Sequence, residues 1–460
     1  MRLWIKMVMV LGMTLAILVP FTMVRGVVHE RQEYRRQAVA DIARGYAGEQ
    51  SFAGPVLVVP YRQWVEVEEP DANGVVRRVR RMQESQWTFF PSTLVVDGNL
   101  KPGIRRRGLH EVRVYEWHAS AQASFDLEIP PDPGPEHARR IGQPYLGYAI
   151  GDVRGLVGTP VLKVDGRSVS LEQGRGYRRG EGLHVRLDVP ASGGTRTVST
   201  RLDFVLAGTE RLALVPLGHQ NRFSLGSSWP HPSFEGSSPR TRTIDASGFR
   251  AEWDIPGLAS NAQQSFLEGM ATDRARASAS ANDAEEGSAG MESVGVSLVD
   301  PVDVYSKTDR ATKYGLLFVL LTFIGFFIFE LTRQLPIHPI QYGLVGLALA
   351  MFFLLLLSLS EHFRFGWSYL GAGAACIGLI TFYLSAVLRS VQRALGFAAM
   401  LTTLYAALYG LLVSEDNALV LGSGLLFVVL AALMTITRKV DWYQLAGRLP
   451  RRSGPGLGEG

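Results

Sequence analysis

The residues of this chain that could do chemistry are few and scattered. The nine histidines form no ligand spacing, and the single cysteine, Cys376, sits inside an apolar run. One cysteine excludes an intramolecular disulfide and any cysteine-based zinc site. No Gly-rich phosphate loop, Gly-x-Ser-x-Gly elbow or His-Glu-x-x-His helix occurs. Glu361 and His362 are adjacent, which on a helix sends their side chains in different directions. Glu330, Glu361, Glu415 and Asp416 all fall at the edges of apolar runs. A proton or ion path favours a carboxylate at mid-span. The sequence therefore assigns no catalytic, cofactor-binding or metal-binding residue. Its candidates are interaction residues: Trp229, His231 and Phe234 in Ser228-Trp229-Pro230-His231-Pro232-Ser233-Phe234, and the pair Glu361 and His362. Two prolines around His231 favour an extended loop whose aromatic rings bracket a groove or plug a core.

The elements that must carry these residues follow from hydropathy. The chain has 460 residues and is 47% hydrophobic, but the apolar residues crowd into the first 24 positions and into 314–436. The N-terminus opens with Arg2 and Lys6 and an apolar stretch from Met7 to Val24. No small-x-small pair precedes Arg25, so residues 1–26 read as an uncleaved signal anchor. Pro20 is expected to kink or end that helix. Five further apolar segments, at about 314–329, 342–359, 367–388, 394–413 and 418–436, predict a bundle over 313–437 with short antiparallel connections. Trp4, Tyr314, Tyr342, Trp367, Trp442 and Tyr443 lie at expected span ends, as interfacial anchors do. Gly371, Ala372, Gly373, Ala374, Ala375 and Gly378 allow close helix packing.

Between the membrane segments the pattern changes. Residues 27–53 predict a helical connector. From Gly54, short β-type runs such as Val56-Leu57-Val58-Val59 and Leu183-His184-Val185-Arg186-Leu187 alternate with turn signals at Asn73-Gly74, Asp97-Gly98 and Asp165-Gly166. Alternating Phe249 and Trp253 mark one buried strand face. The pattern predicts a β-rich, sandwich-like domain with subdomains at 54–195 and 196–312, and a flexible Ala/Ser-rich loop at 271–293. The fold class is thus a mixed membrane protein, with six transmembrane α-helices and a large exported β-rich domain between the first and second. Basic residues Arg333, Arg389, Arg393 and the tail 438–460 place both termini inside, although Arg25, Arg31, Arg35 and Arg36 follow the first span on the outside. The net charge of +5 is spread along the chain and does not argue for nucleic acid. The clusters Arg77-Arg78, Arg80-Arg81 and Arg105-Arg106-Arg107 are expected to be solvated strand edges.

Several local patterns resemble the CreD family of inner-membrane proteins. They are Gly54-Pro55-Val56-Leu57-Val58-Val59-Pro60-Tyr61, Arg107-Gly108-Leu109-His110-Glu111-Val112, the Ser228–Phe234 block, Asp309-Arg310-Ala311-Thr312-Lys313-Tyr314, His338-Pro339-Ile340-Gln341-Tyr342 and Leu357-Ser358-Leu359-Ser360-Glu361-His362. The stretch 271–293 departs from that pattern. The resemblance implies a Gram-negative inner membrane, a stress-response setting often under a two-component regulator, and association with envelope integrity, β-lactam response and colicin tolerance. It supplies no chemical activity and no catalytic set.

The sequence thus predicts a non-enzymatic, multi-pass inner-membrane protein with cytoplasmic termini and a periplasmic domain. Its partners would be the lipid bilayer and a cell-wall, lipid or envelope-protein component, with no cofactor. A transporter or flippase-like protein and a membrane-anchored periplasmic hydrolase are the alternatives. The first asks for paired, broken helices, the second for two carboxylates in a cleft.

Overall fold

The computed structural model describes residues 3–70, 76–108, 110–132, 134, 139–176, 181–188, 194–278, 291–298, 304–333, 338–388, 390–414 and 418–438. The turn at Asn73-Gly74, the side chain of Glu330, the acidic pair Glu415 and Asp416, and the basic tail from residue 439 lie outside what is described. The chain divides into two compact units, residues 1–34 with 302–460, and residues 35–301.

The first unit is helical. Helix α1 (Leu3–Gly45) begins in it and ends in the other unit. It runs through Pro20, where the sequence suggested a kink or an end. Proline removes one N–H and crowds the preceding turn, yet the helix continues past it. Then come α3 (Val304–Arg333), α4 (Pro339–Ser360), α5 (Phe365–Val387), α6 (Val391–Val413) and α7 (Ala418–Thr437), after α2 (Ala262–Ser278) in the second unit. Among the described residues four helices are long and apolar enough to cross a membrane: α3 within residues 310–327, α4 within 340–360, α5 and α6. Helix α7 carries a shorter apolar run, Val420–Ala431.

One core holds this unit together, and α1 belongs to it. Ile17, Phe21 and Val24 are buried with Phe318, Phe353 and other residues of α3–α6. Among the described residues of this unit the tightest approach is at Gly346, where an added Cβ would lie 1.9 Å from Cδ1 of Ile17 and 2.9 Å from Cζ of Phe323. The small residues of α5 are less crowded: at Gly373 the nearest atom would be 3.6 Å away, and Gly378 faces open space. Tyr342 is not an interfacial anchor. It is buried, with its ring edge-on to Phe323 at 5.6 Å. Trp367, by contrast, is 72% exposed. Tyr369, Tyr405 and Cys376 form a hydrogen-bonded chain inside the bundle. The Tyr369 hydroxyl donates to the Tyr405 carbonyl at 2.7 Å, the Tyr405 hydroxyl to Cys376 Sγ at 3.1 Å, and the Cys376 thiol to the Ala348 carbonyl at 3.2 Å.

The second unit contains two sheets, with strands numbered along the chain. The first has the order β14 (Ser233–Glu235), β17 (Val294–Ser297), β12 (Arg211–Val215), β1 (Gln50–Pro70), β6 (Tyr145–Ile150), β10 (Gly182–Arg186) and β9 (Glu172–Gln173). Strands β2 (Val76–Phe89) and β5 (Arg139–Ile141) also pair with β1. The second sheet runs β15 (Thr241–Asp245), β16 (Gly248–Pro256), β13 (Gln220–Ser227), β3 (Thr93–Arg107), β4 (His110–Glu128), β11 (Thr195–Thr209), β7 (Val161–Val164) and β8 (Arg167–Val169). Pairing is antiparallel except between β1 and β12 and between β3 and β13.

The inner faces of the two sheets share one core. Phe52 of β1 stacks on Phe204 of β11 at 5.2 Å, and Trp117 of β4 stands edge-on to both rings. The other face of the first sheet is covered by α2, through Phe266 and Met270 against Val56, Val58 and Val215. That explains the unbroken run Val56-Leu57-Val58-Val59, since a strand covered on both faces needs apolar side chains on both. Phe249, Ala251 and Trp253 form the expected buried face of β16.

Three expectations change. Strands from both sides of residue 195 occur in each sheet and pack into the same core, so no divide near 190–198 separates two subdomains. A long antiparallel ladder, β4 with β11, crosses that position. Residues 271–278, read as loop, continue helix α2, and 279–290 lie outside the described residues. Ala and Arg are good helix formers, and tertiary anchoring of the preceding turns extends the helix. Asp97-Gly98 is not a turn but the middle of β3, whereas Asp165-Gly166, with φ of 47° and 78°, does turn the chain between β7 and β8.

Candidate interaction sites

The five sequence candidates divide between the two units. Trp229, His231 and Phe234 belong to the β-rich unit, Glu361 and His362 to the helical one. Phe234 is half-buried and packs against the core: its ring meets Phe249 and Trp253 edge-on at 5.7 Å each. Trp229 is half-buried. Its indole N–H donates to the His231 carbonyl at 2.8 Å, and the Arg113 guanidinium sits over its ring, 4.2 Å from the centroid. The two prolines thus fold the loop back so that Trp229 is covered by its own neighbour and a cation. His231 is exposed.

Glu361 and His362 separate as their adjacency requires. His362 is exposed, and its Nδ1 lies 3.2 Å from the Ser358 carbonyl. The Glu361 side chain is only 8% exposed, ends α4, and faces Nε of Arg31 on α1 at 3.6 Å. Its Oε1 has no hydrogen-bond partner. A buried carboxylate depends on its counter-charge more than the counter-charge depends on it. Arg31→Met is therefore expected to destabilise the full chain by about 1–2 kcal/mol, below the buried-pair range because Arg31 is partly solvated. The double variant Arg31→Met with Glu361→Gln should recover part of that loss. Thermal unfolding of both variants in nanodiscs measures the difference.

The sequence reading did not single out the polar node where α1 hands over to β1. Gln50 is buried. Its amide donates to the carbonyls of Asp152 at 3.0 Å and Ala207 at 2.8 Å, and its Oε1 accepts the Asp152 N–H at 3.0 Å. The Asp152 carboxylate accepts from Arg154 Nη2 at 2.7 Å and Nε at 2.9 Å, and from the N–H groups of Arg154 and Gly48 at 3.0 Å. The end of α1 is tied down around it: Asp41 pairs with Arg107 at 2.7 Å, Arg35 with Glu210 at 3.6 Å, and Arg105 lies over the Tyr46 ring at 5.2 Å. The Arg105–Arg107 cluster is therefore engaged in the structure, with Arg106 on Glu111.

The hydrogen bonds from Arg154 hold the Asp152 carboxyl below its ordinary range, against its partial burial. A depressed folded-state pKa stabilises the fold above the unfolded value and is lost as pH falls through the folded one. Asp152→Asn is thus expected to lower stability at neutral pH and to flatten the acid limb below about pH 4. Chemical unfolding at a series of pH values checks both.

A second missed group lies on β1 and β2. Tyr61 and Trp87 stack at 4.1 Å, and the Arg139 guanidinium lies over both, 5.7 and 5.5 Å from their centroids. Two aromatics and an arginine on three strands leave no local sequence signal; only the register brings them together. A cavity of about 350 Å³ adjoins Trp87. Among the described residues, no group of three or more His, Cys, Asp or Glu is placed to hold a metal ion.

Comparison with known proteins assigns the chain. The family model for the inner membrane protein CreD matches residues 2–443. The inner membrane protein CreD of Escherichia coli (strain K12) is 34% identical over 442 residues, covering 95% of this chain and 93% of that one. Among solved structures, the M1 zinc metallopeptidase of Deinococcus radiodurans aligns with 12% identity and a TM-score of 0.19, over 36% of this chain and 38% of that one. A substrate-bound form of that metallopeptidase gives 12% identity and a TM-score of 0.20, over 36% and 39%. Likeness that low carries no argument about fold or activity. The match along nearly the whole length, through both the helical and the β-rich unit, does: this chain belongs to the CreD family of inner membrane proteins.

Proposed function

We propose that this CreD-family protein supports envelope integrity under stress without catalysing a reaction, and that residues 35–301 are a periplasmic unit that binds an envelope component or partner. In this reading six helices, α1 and α3–α7, cross the inner membrane with both termini cytoplasmic. The bilayer-facing part is residues 1–26 and 313–437, and the tail from 438 stays inside. The basic residues at 389 and 393 and in the tail support that orientation.

The observation that carries the non-enzymatic reading is how the β-rich unit uses its carboxylates. A hydrolytic acid needs a carboxyl held protonated near neutral pH. Those whose pKa moves here move the other way. Against the desolvation of burial, Ser199 and Arg196 hold Asp165 low, and Arg201 does so for Asp203. Each is engaged in a strand or turn contact.

The test is photocrosslinking in cells from positions across the β-rich unit of the full chain, His231 among them. The expected result is a crosslinked envelope component whose loss, on substitution at the crosslinking position, tracks loss of stress resistance. Turnover of a cell-wall substrate by the purified chain, abolished by a single polar substitution, would overturn the non-enzymatic reading.

A further inference from the structure

Among the described strands, β2 has one neighbour. It pairs with β1 from Val76 to Phe89, and among the described strands nothing else pairs with it. Its outer edge therefore presents backbone N–H and C=O groups, which is the template for another strand. Natural edges are usually guarded by charge. Toward the hairpin tip this one is: Arg78 pairs with Glu68, Arg80 with Glu66, and Glu84 with Arg62. The guard stops there. Gln86, Trp87, Thr88 and Phe89 carry no charge.

The same four residues line the cavity of about 350 Å³. Consecutive strand residues point to opposite faces. A cavity that touches four in a row therefore meets the edge of the strand, not one of its faces. Its opposite wall is α2, through Leu267, which is 45% exposed, and the buried Met270. Glu128, at the end of β4, lines it too and makes no ion pair among the described residues. An unpaired, unguarded strand edge, an apolar wall facing it and one carboxylate are the parts of a strand-addition site. Main-chain bonds supply affinity there and a side-chain pocket supplies choice.

We propose that residues 85–89 of β2 take up an extended peptide of a partner protein as an added strand. An apolar side chain of the peptide would seat against Leu267 and Met270, with a Lys or Arg beside Glu128. This rests on the reading that the β-rich unit binds an envelope partner, and it names the place and the partner's chemistry.

A photocrosslinker at Thr88, and separately at Leu267, in the full chain in cells tests it. Both positions are expected to crosslink to one short stretch of one protein, and Leu267→Arg should lower the yield from Thr88 about tenfold or more. A synthetic peptide of that stretch should slow amide exchange at 85–89 in the full chain in nanodiscs. The same peptide N-methylated at alternate residues should not, because it lacks the donors. Crosslinks from these positions only to lipid, to glycan or to a second copy of this chain would overturn the proposal. So would equal protection by the N-methylated peptide. If His231 crosslinks a partner while Thr88 and Leu267 are silent, this site falls and the binding reading stands. Silence at every position removes both.

Discussion

Gly98→Val is expected to be among the most damaging single substitutions in the β-rich unit. Gly98 sits in the middle of β3, opposite Ala119 of β4 and beside Leu225 of β13. The Trp117 indole lies across it. An added Cβ would stand 2.2 Å from Trp117 Nε1 and 2.9 Å from the His118 carbonyl oxygen. The carbonyl is backbone and is fixed by the ladder, so the indole must leave. Trp117 is fully buried and is the ring that joins the sheets, edge-on to Phe52 at 5.9 Å and to Phe204 at 5.2 Å. Displacing a core tryptophan costs about 3–5 kcal/mol. Gly103→Ala on the same strand is the control, because its Cβ would meet Val114 Cγ2 at an ordinary 3.4 Å. Denaturant unfolding of the full chain in nanodiscs should show a large loss for the first and little change for the second. Equal midpoints would mean that the core is not built around Trp117.

Gln50→Leu is expected to be nearly as severe for a different reason. Leucine fills a similar volume but makes no hydrogen bond. It would leave the carbonyls of Asp152 and Ala207 and the Asp152 N–H without the amide that now satisfies them. Each buried orphan costs about 1–3 kcal/mol, so a total of about 3–5 kcal/mol is expected after local relaxation. The loss should also be local. The same stretch is held by the Thr209 hydroxyl on the Ala47 carbonyl at 2.6 Å and the Thr209 N–H on the Gly48 carbonyl at 3.0 Å. Amide exchange should therefore rise first at 46–50 and 152–156, before the sheets open. The exposed Gln220→Leu should stay within about 0.5 kcal/mol of the parent.

Much of the fold was legible in the sequence because hydropathy reports burial directly. The expected apolar segments coincide with α3–α7 to within a few residues, apart from α3, which extends beyond its apolar run at both ends. Exposed and buried residues alternate along β4, β11 and β16, as a sheet with one covered face requires. What failed was everything that depends on long-range register. Asp97-Gly98 reads locally as a turn, but the glycine is there to pass beneath Trp117, and nothing within β3 says so. The divide near 190–198 failed because β11 crosses it to pair with β4, and turn-rich composition does not record partners. The candidate residues fared similarly. Phe234 packs against the core, Trp229 is capped by Arg113, and Glu361 is paired with an arginine on a distant helix. The Gln50–Asp152 node and the Tyr61–Trp87–Arg139 stack each assemble from segments far apart in the chain. No local spacing could have announced them.

The central claim is that residues 35–301 lie outside the inner membrane, held by a six-span bundle with both termini inside. Alkaline phosphatase fusions after residues 150, 364, 391 and 416 of the chain test it most directly, because the enzyme is active only on the periplasmic side. The account predicts activity at 150, 364 and 416 and none at 391. A silent fusion at 150 would place the β-rich unit in the cytoplasm and contradict the account at its base.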